Sequence, residues 1–262
     1  MGKICTMFSG SSGNCTYISS GKDAFLIDAG VSAKQILLGL EERNIDPNSI
    51  KAIFITHCHT DHISGLRVFL KKFNVPVYAS KESIGILMLE DAFNEKSRYY
   101  DIEENPETNM DVRVDFFKTS HDCVGSGGYT FTLPDNQKIG FCTDLGFVSD
   151  TVRQKLMGSN YVVIESNHDV GMLQNGMYPF ETKQRILSDE GHLSNASCAL
   201  ELPELVRNGT TGIILAHLSK DNNTPELAEV TAKSVLSENK MKQDIDYRLY
   251  VAPKSKGKII YI

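Results

Sequence analysis

The hexapeptide His57-Cys58-His59-Thr60-Asp61-His62 constrains this chain more than any other stretch, because it closes a near-continuous apolar run from Ile50 to Ile55. Such a run reads as a buried strand. A strand alternates its side chains, so His57 and His59 point to one side. A turn starting at Thr60 then swings Asp61 and His62 around a second point nearby. Imidazole and carboxylate donors suit zinc, manganese or iron, and two adjacent donor sets suggest two divalent ions rather than one. The plain alternative is a loop of solvated polar residues. Three of the chain's seven histidines within six positions argue against it. Cys58 has the opposite parity to His57 and His59 and reads as a buried, inert thiol.

Around this motif the 262 residues alternate short strands with helices. Ile4 to Phe8, Cys15 to Ser19 and Ala24 to Asp28 read as a β-meander broken by the polar turn Ser9 to Asn14. Ser32 to Arg43 carries apolar residues at Ile36, Leu37 and Leu40 behind a capping serine and reads as a helix. Ile63 to Phe73 and Ser83 to Leu89 are further helices, flanking a strand over 75–79. Asn94 to Met110 is polar, holds Pro106 and shows no period, which marks a surface excursion. Strands follow over 112–119, 128–133 and 138–143, with Pro134, Asp135 and Asn136 turning the last hairpin. A helix over 150–157 and a strand over 161–164 precede a helix over 195–206, a strand over 212–216 and a helix over 225–236. Strands over 247–251 and 258–261 close the chain. There is no repeat or linker, so residues 1–262 read as one domain of two sheets packed face to face with helices outside.

Composition narrows the function classes. The six cysteines include no CxxC pair, which speaks against a zinc ribbon, a dithiol redox motif or a cross-linked secreted scaffold. No apolar segment is long enough for a signal sequence or a membrane span, so a cytoplasmic protein without membrane association is expected. A formal charge of −6 makes the whole molecule no long-range attractor of polyanions. Two divalent ions would still add about four positive charges where a phosphate sits. Charge therefore leaves nucleic acid open.

The motif HxHxDH after an apolar strand resembles the signature of the metallo-β-lactamase superfamily. That family's remaining ligand stations have candidates here in order: His121 in Thr119-Ser120-His121-Asp122, Asp144 in Phe141-Cys142-Thr143-Asp144, and His217 in Leu215-Ala216-His217. Each follows a predicted strand, where layered folds gather functional loops. The resemblance implies an α+β fold, the four-layer αββα sandwich. It also implies two metal ions, one held by His57, His59 and His121, the other by Asp61, His62 and His217, with Asp144 between them. It narrows to the YycJ/WalJ branch, associated with exonuclease activity on double-stranded DNA, through segments spread over nearly the whole chain. These include Ser9-Gly-Ser-Ser-Gly-Asn14, Phe25-Leu-Ile-Asp-Ala-Gly30, Glu165-Ser-Asn-His-Asp169 and His217-Leu-Ser-Lys-Asp-Asn-Asn223. Cys58 fills a variable place in the motif. The chain is also short for the extra domain of the β-CASP nucleases.

The expected activity is thus a metal-dependent phosphodiesterase, a 5′ to 3′ exonuclease on double-stranded DNA. Paired ions about 3.5 to 4 Å apart would activate a bridging hydroxide and stabilise both oxygens of an in-line displacement. Asp61 would orient the nucleophile, Asp144 would fix the ions' separation, and a phosphodiester suits the site because its charge grows where the metals sit. Substrate contacts are expected from Ser9, Ser11, Ser12 and Asn14 of the polar loop, unless that loop is only a hairpin turn. Further contacts are expected from His192, as phosphate ligand or general acid, from Ser194 and Asn195 at a helix start, and from Lys220. His168 with Asp169 reads either as a supporting pair or as a capping turn. Two rivals remain: a hydrolase of a small thioester or lactam using the same ions, and a binding protein that keeps them without turnover.

Overall fold

The computed structural model describes residues 2–262. Strands β1 (Lys3–Phe8), β2 (Cys15–Ser19) and β3 (Ala24–Ile27) form the antiparallel meander read from the sequence. Helix α1 (Ala33–Glu41) starts at a capping box in which the Ser32 hydroxyl accepts from the backbone of Gln35 and the Gln35 side chain reaches back. A 3-10 turn at Pro47–Ser49 leads into β4 (Ile50–Phe54), parallel to β3. The single helix expected over 63–73 is instead two, α2 (Thr60–Ile63) and α3 (Leu66–Lys72), broken at Gly65. Strand β5 (Val77–Ala79), helix α4 (Lys81–Leu89) and β6 (Tyr99–Asp101) follow. β6 falls inside the stretch expected to be an irregular excursion.

The second half contributes β7 (Arg113–Lys118), β8 (Gly127–Thr132), β9 (Lys138–Cys142), α5 (Asp150–Leu156) and β10 (Tyr161–Glu165). Two short helices absent from the sequence reading, α6 (Val170–Asn175) and α7 (Phe180–Leu187), come next. Then follow α8 (Asn195–Arg207), β11 (Gly212–Ala216), α9 (Pro225–Glu238), β12 (Arg248–Val251) and β13 (Ile260–Tyr261), which pairs back onto β1. The sheets run β13-β1-β2-β3-β4-β5-β6 and β12-β11-β10-β9-β8-β7.

Strand alternation builds three apolar layers from these two sheets. Ile4, Ile18, Phe25, Ile27 and Phe54 point inward and meet Tyr129, Phe131, Phe141, Val163 and Ile214 of the other sheet. Phe54 packs edge-on to Phe25 and Phe131, with centroids 5.3 and 5.1 Å apart. Each such fully buried ring contributes about 1.5–3 kcal/mol. The alternate residues Cys5, Met7, Leu26 and Ile53 face Ile36, Leu40, Phe69 and Leu87 of α1, α3 and α4. Val162, Ile164, Ile213 and Leu215 face Leu156, Leu202 and Leu236 of α5, α8 and α9. The result is the αββα sandwich. No helix is long and apolar enough to cross a membrane among the described residues.

One edge of this sandwich is chemically distinct. β9, β10 and β11 are mutually parallel, β7 runs with them across antiparallel β8, and β3 and β4 are parallel in the other sheet. Their C-terminal ends deliver Asp28, His57, His121, Asp144, Glu165 and His217 to neighbouring loops. Asp28, Asp144 and His217 leave their strands in the left-handed region, at φ of 61°, 60° and 56°. Outside glycine, that region favours Asn, Asp and His, so these residue types suit the three turns.

Candidate metal centre

The hexapeptide after β4 folds as its parity suggests, and its supports come from the adjacent strand. Asp28, just past β3, is buried and accepts from the backbone N–H of Thr56 and from the Thr56 hydroxyl, both at 2.9 Å. It also faces His62 Nδ1 at 2.8 Å. Burial works against a charged His62, but Asp28, Asp144 and Asp61 outweigh it and raise His62 to about 9. Thr56 Oγ1 lies 3.1 Å from His57 Nδ1.

The same arrangement recurs around the site. His121 Nδ1 donates to the Gly191 carbonyl at 3.1 Å. His217 Nδ1 and His192 Nδ1 each lie 2.8 Å from Oε1 of Glu165, which is fully buried, and Oε2 of Glu165 accepts from the backbone of Leu145 and Leu193. Holding one ring nitrogen on an oxygen fixes the tautomer and aims the other nitrogen, as metal-binding histidines require.

The aimed atoms converge. His57 Nε2 and His121 Nε2 lie 3.1 and 3.2 Å from His59 Nδ1. Burial lowers His57 far below its usual range, with the neighbouring imidazoles adding to it, and burial together with His121 lowers His59. Both shifts favour the neutral ring that metal ligation requires. On the other side, His62 Nε2 is 3.4 Å from Asp144 Oδ2, and Asp61 Oδ2 is 3.7 and 3.6 Å from the Nε2 atoms of His62 and His217. His121 Nε2 is 4.0 Å from the other Asp144 oxygen, so Asp144 touches both groups. Asp144 Oδ2 and His217 Nε2 are buried without a hydrogen-bond partner. Orphaned donor atoms in a polar cluster fit metal ions. The donor atoms of His57, His59 and His121, and those of Asp61, His62 and His217, each fall within 4.8 Å of one another.

The residues expected to touch substrate divide by position. A cavity of ≈ 440 Å³ opens over the cluster, and His192, Ser11, His59, Asp61, Asp144 and His217 line it. Ser12 and Lys220 lie in an adjoining hollow. The Ser9 hydroxyl accepts from the His217 backbone at 2.8 Å and is buried. Asn14 is built into the motif itself, with its amide donating to the Asp61 carbonyl at 3.2 Å and standing 3.0 Å from His62 Nε2. Ser194 caps α8, and Asn195 is buried in an amide network with Ser166 and Asn223, so neither lines the cavity. The Asp169 carboxylate caps α6, which favours the capping reading of that segment. His168 is pushed down to about 4 by burial and has no partner for either ring nitrogen. Cys58 is buried, its thiol donates to the Ser83 carbonyl, and burial pushes it up to about 12.

Asp28 and Glu165 stood in the family-like segments without an assigned role, and the wall formed by Tyr178, Thr182 and Arg185 was not anticipated. Arg185 pairs with Asp122, whose other oxygen lies 3.7 Å from His59 Nε2.

Comparison with known proteins agrees with this geometry. The Metallo-beta-lactamase superfamily matches residues 9–191. The chain is 35% identical to Exodeoxyribonuclease YycJ of Bacillus anthracis, covering 97% of each. It is also 35% identical to Exodeoxyribonuclease WalJ of Streptococcus pneumoniae, over 95% of this chain and 93% of the relative. The crystal structure of the metallo-beta-lactamase fold protein YhfI from Bacillus subtilis superposes with a TM-score of 0.74 at 17% identity, covering 99% of this chain and 98% of that one. The chain belongs to the metallo-beta-lactamase superfamily, a hydrolase family whose fold implies divalent metal ions.

Proposed function

We propose that the chain is a metal-dependent 5′ to 3′ exonuclease acting on double-stranded DNA, with residues 1–262 working as one domain. The observation that carries this is the near-full-length similarity to two exodeoxyribonucleases, joined to an intact donor cluster at the floor of an open cavity. His57, His59 and His121 would hold one divalent ion and Asp61, His62 and His217 a second, with Asp144 shared. Bound ions would supply Lewis acidity toward a phosphoryl oxygen and lower the pKa of a bound water.

The chain's own groups do the rest. Asp61, whose carboxylate His217 and His62 hold far down against the opposing effect of burial, stays an acceptor and orients the attacking water. His192 opens onto the cavity and has its Nδ1 held by Glu165. Burial disfavours its charged form, but Glu165 outweighs that and raises it, which favours the protonated ring that would offer Nε2–H to a phosphate oxygen or the leaving oxygen. Among the side chains lining the cavity only Ile186 is apolar, and Arg185 is there to meet an anion, which suits a phosphodiester better than the apolar acyl group of a thioester.

Digestion of a duplex labelled at one 5′ end, with manganese added, tests the reading. Short labelled products from the wild type and none from Asp144→Ala are expected. If the wild type leaves DNA intact with zinc, manganese and iron but hydrolyses a thioester or lactam, the exonuclease reading is lost.

A further inference from the structure

Outside the metal cluster, the molecule's cations are unevenly distributed. The chain carries −6 overall, yet its last fifteen residues hold Arg248, Lys254, Lys256 and Lys258 and no acidic residue. The three lysines sit on the strap joining β12 to β13, are exposed, and form no ion pair within 4.0 Å among the described residues.

The strap itself is pinned. Ser255 bridges to Phe8 at the end of β1, immediately before the Ser9 to Asn14 loop. Arg43 Nε donates to the Gly257 carbonyl at 2.8 Å, and a Cβ on Gly257 would stand 1.9 Å from the Thr6 carbonyl oxygen. The lysines therefore project from a backbone fixed against β1, whose end leads into the serine loop.

This places them next to the active cavity. Lys254 lines a hollow of ≈ 150 Å³ with Ser12, Lys220 and Pro225, the last being the first residue of α9. Ser11 and Ser219 line both that hollow and the metal-centre cavity, so one surface connects them. Lys256 and Lys258 line the next depression along, which shares Pro253 with the hollow.

We infer that the strap carrying Lys254, Lys256 and Lys258 is a binding track for the sugar-phosphate backbone of a nucleic acid beyond the phosphate being cleaved. Four uncompensated ammonium groups, counting Lys220, run along a connected surface from the cavity outward, and a polyanion is the partner that complements them. Ammonium groups act as point charges without base recognition, so the track binds independently of sequence. The inference rests on the nucleic-acid reading of the same site and adds where the polymer lies.

The test compares wild type with Lys254→Ala/Lys256→Ala/Lys258→Ala, both metal-loaded and both checked for equal thermal midpoints. Binding is followed by fluorescence anisotropy of a labelled duplex whose end linkages are phosphorothioates to slow cleavage. The triple variant is expected to bind at least about tenfold more weakly near 0.1 M salt, and the slope of log affinity against log salt should shrink by about 0.9 for each phosphate that is no longer neutralised. Hydrolysis of a small chromogenic phosphodiester should be unchanged. Equal affinity and salt slope in the two proteins would overturn the track, as would a wild type that binds duplex without salt dependence. Cleavage of unmodified duplex by the wild type, measured separately, reports on the exonuclease reading.

Discussion

Glu165 shows how much of this centre depends on residues that touch no proposed ion. One carboxylate oxygen faces both His192 and His217, and the other takes two backbone N–H groups. An amide at that position offers one acceptor for four donors. Glu165→Gln is therefore expected to lower activity by about 10- to 100-fold, with weaker metal retention, since partners behind metal ligands carry effects of that size. Activity together with metal content after dialysis checks it; full activity with full metal would show that the carboxylate is dispensable. Asp28→Asn should act likewise through His62 while leaving His192 untouched. His57, His59, Asp61 and His62 were visible in the sequence because histidine is scarce and the motif is dense, whereas His121, Asp144 and His217 were placed by the family resemblance. Asp28 and Glu165 left a fainter trace, a lone acid ending an apolar run, and lone acids end many strands. Their significance comes from pairing with histidines 34, 27 and 52 positions away, which spacing alone does not reveal.

At the scale of elements, the strands were legible because alternation and apolar runs both persist through two sheets. Strand β6 was missed because only three residues pair, Tyr99–Asp101, with two of them exposed, so no hydrophobic pattern marks it. Helices α6 and α7 were missed because Gly171 sits inside the first, Gly176 and Pro179 divide the segment into pieces of six and eight residues, and α7 buries only Ile186. The wall they build owes its place to contacts with Asp122 and Asp221, not to an apolar face. The contact between the serine loop and the motif turn is tighter. Asn14 N donates to the Asp61 carbonyl, Gly30 N donates to the Asn14 carbonyl, and a Cβ on Gly30 would lie 1.6 Å from the Asp61 carbonyl oxygen. Gly30→Ala must push the Asp61 turn away. A loss of about 1–3 kcal/mol in stability is expected, as for overpacked sites, with reduced metal binding. Urea unfolding of the metal-loaded protein measures it, and an unchanged midpoint would mean that the loop and turn separate freely.

Over the whole molecule, the cluster sets stability against function. Without metal, the site gathers imidazoles, carboxylates and two orphaned donor atoms at the joint between the sheets. Stripping the ions should lower the thermal midpoint, because a ligand that binds only the folded state stabilises it by mass action. The pH dependence gives a sharper test. In the metal-free fold His62 is raised from 6.5 to about 9, so its proton stabilises the protein fully below 6.5 and that contribution is lost as pH climbs through about 9. Asp61 is shifted the other way, so its contribution is present above its ordinary value and disappears in acid. Metal-free protein should accordingly melt lower at pH 9 than at pH 6.5. Binding at His62 Nε2 competes with that proton, so metal affinity rises over the same interval. The gap between the loaded and stripped melting curves should then widen from pH 6.5 to 9. A gap that stayed constant would mean that metal does not displace the Nε2 proton of His62, and would remove His62 from the ligand set while leaving His57, His59 and His121 in place.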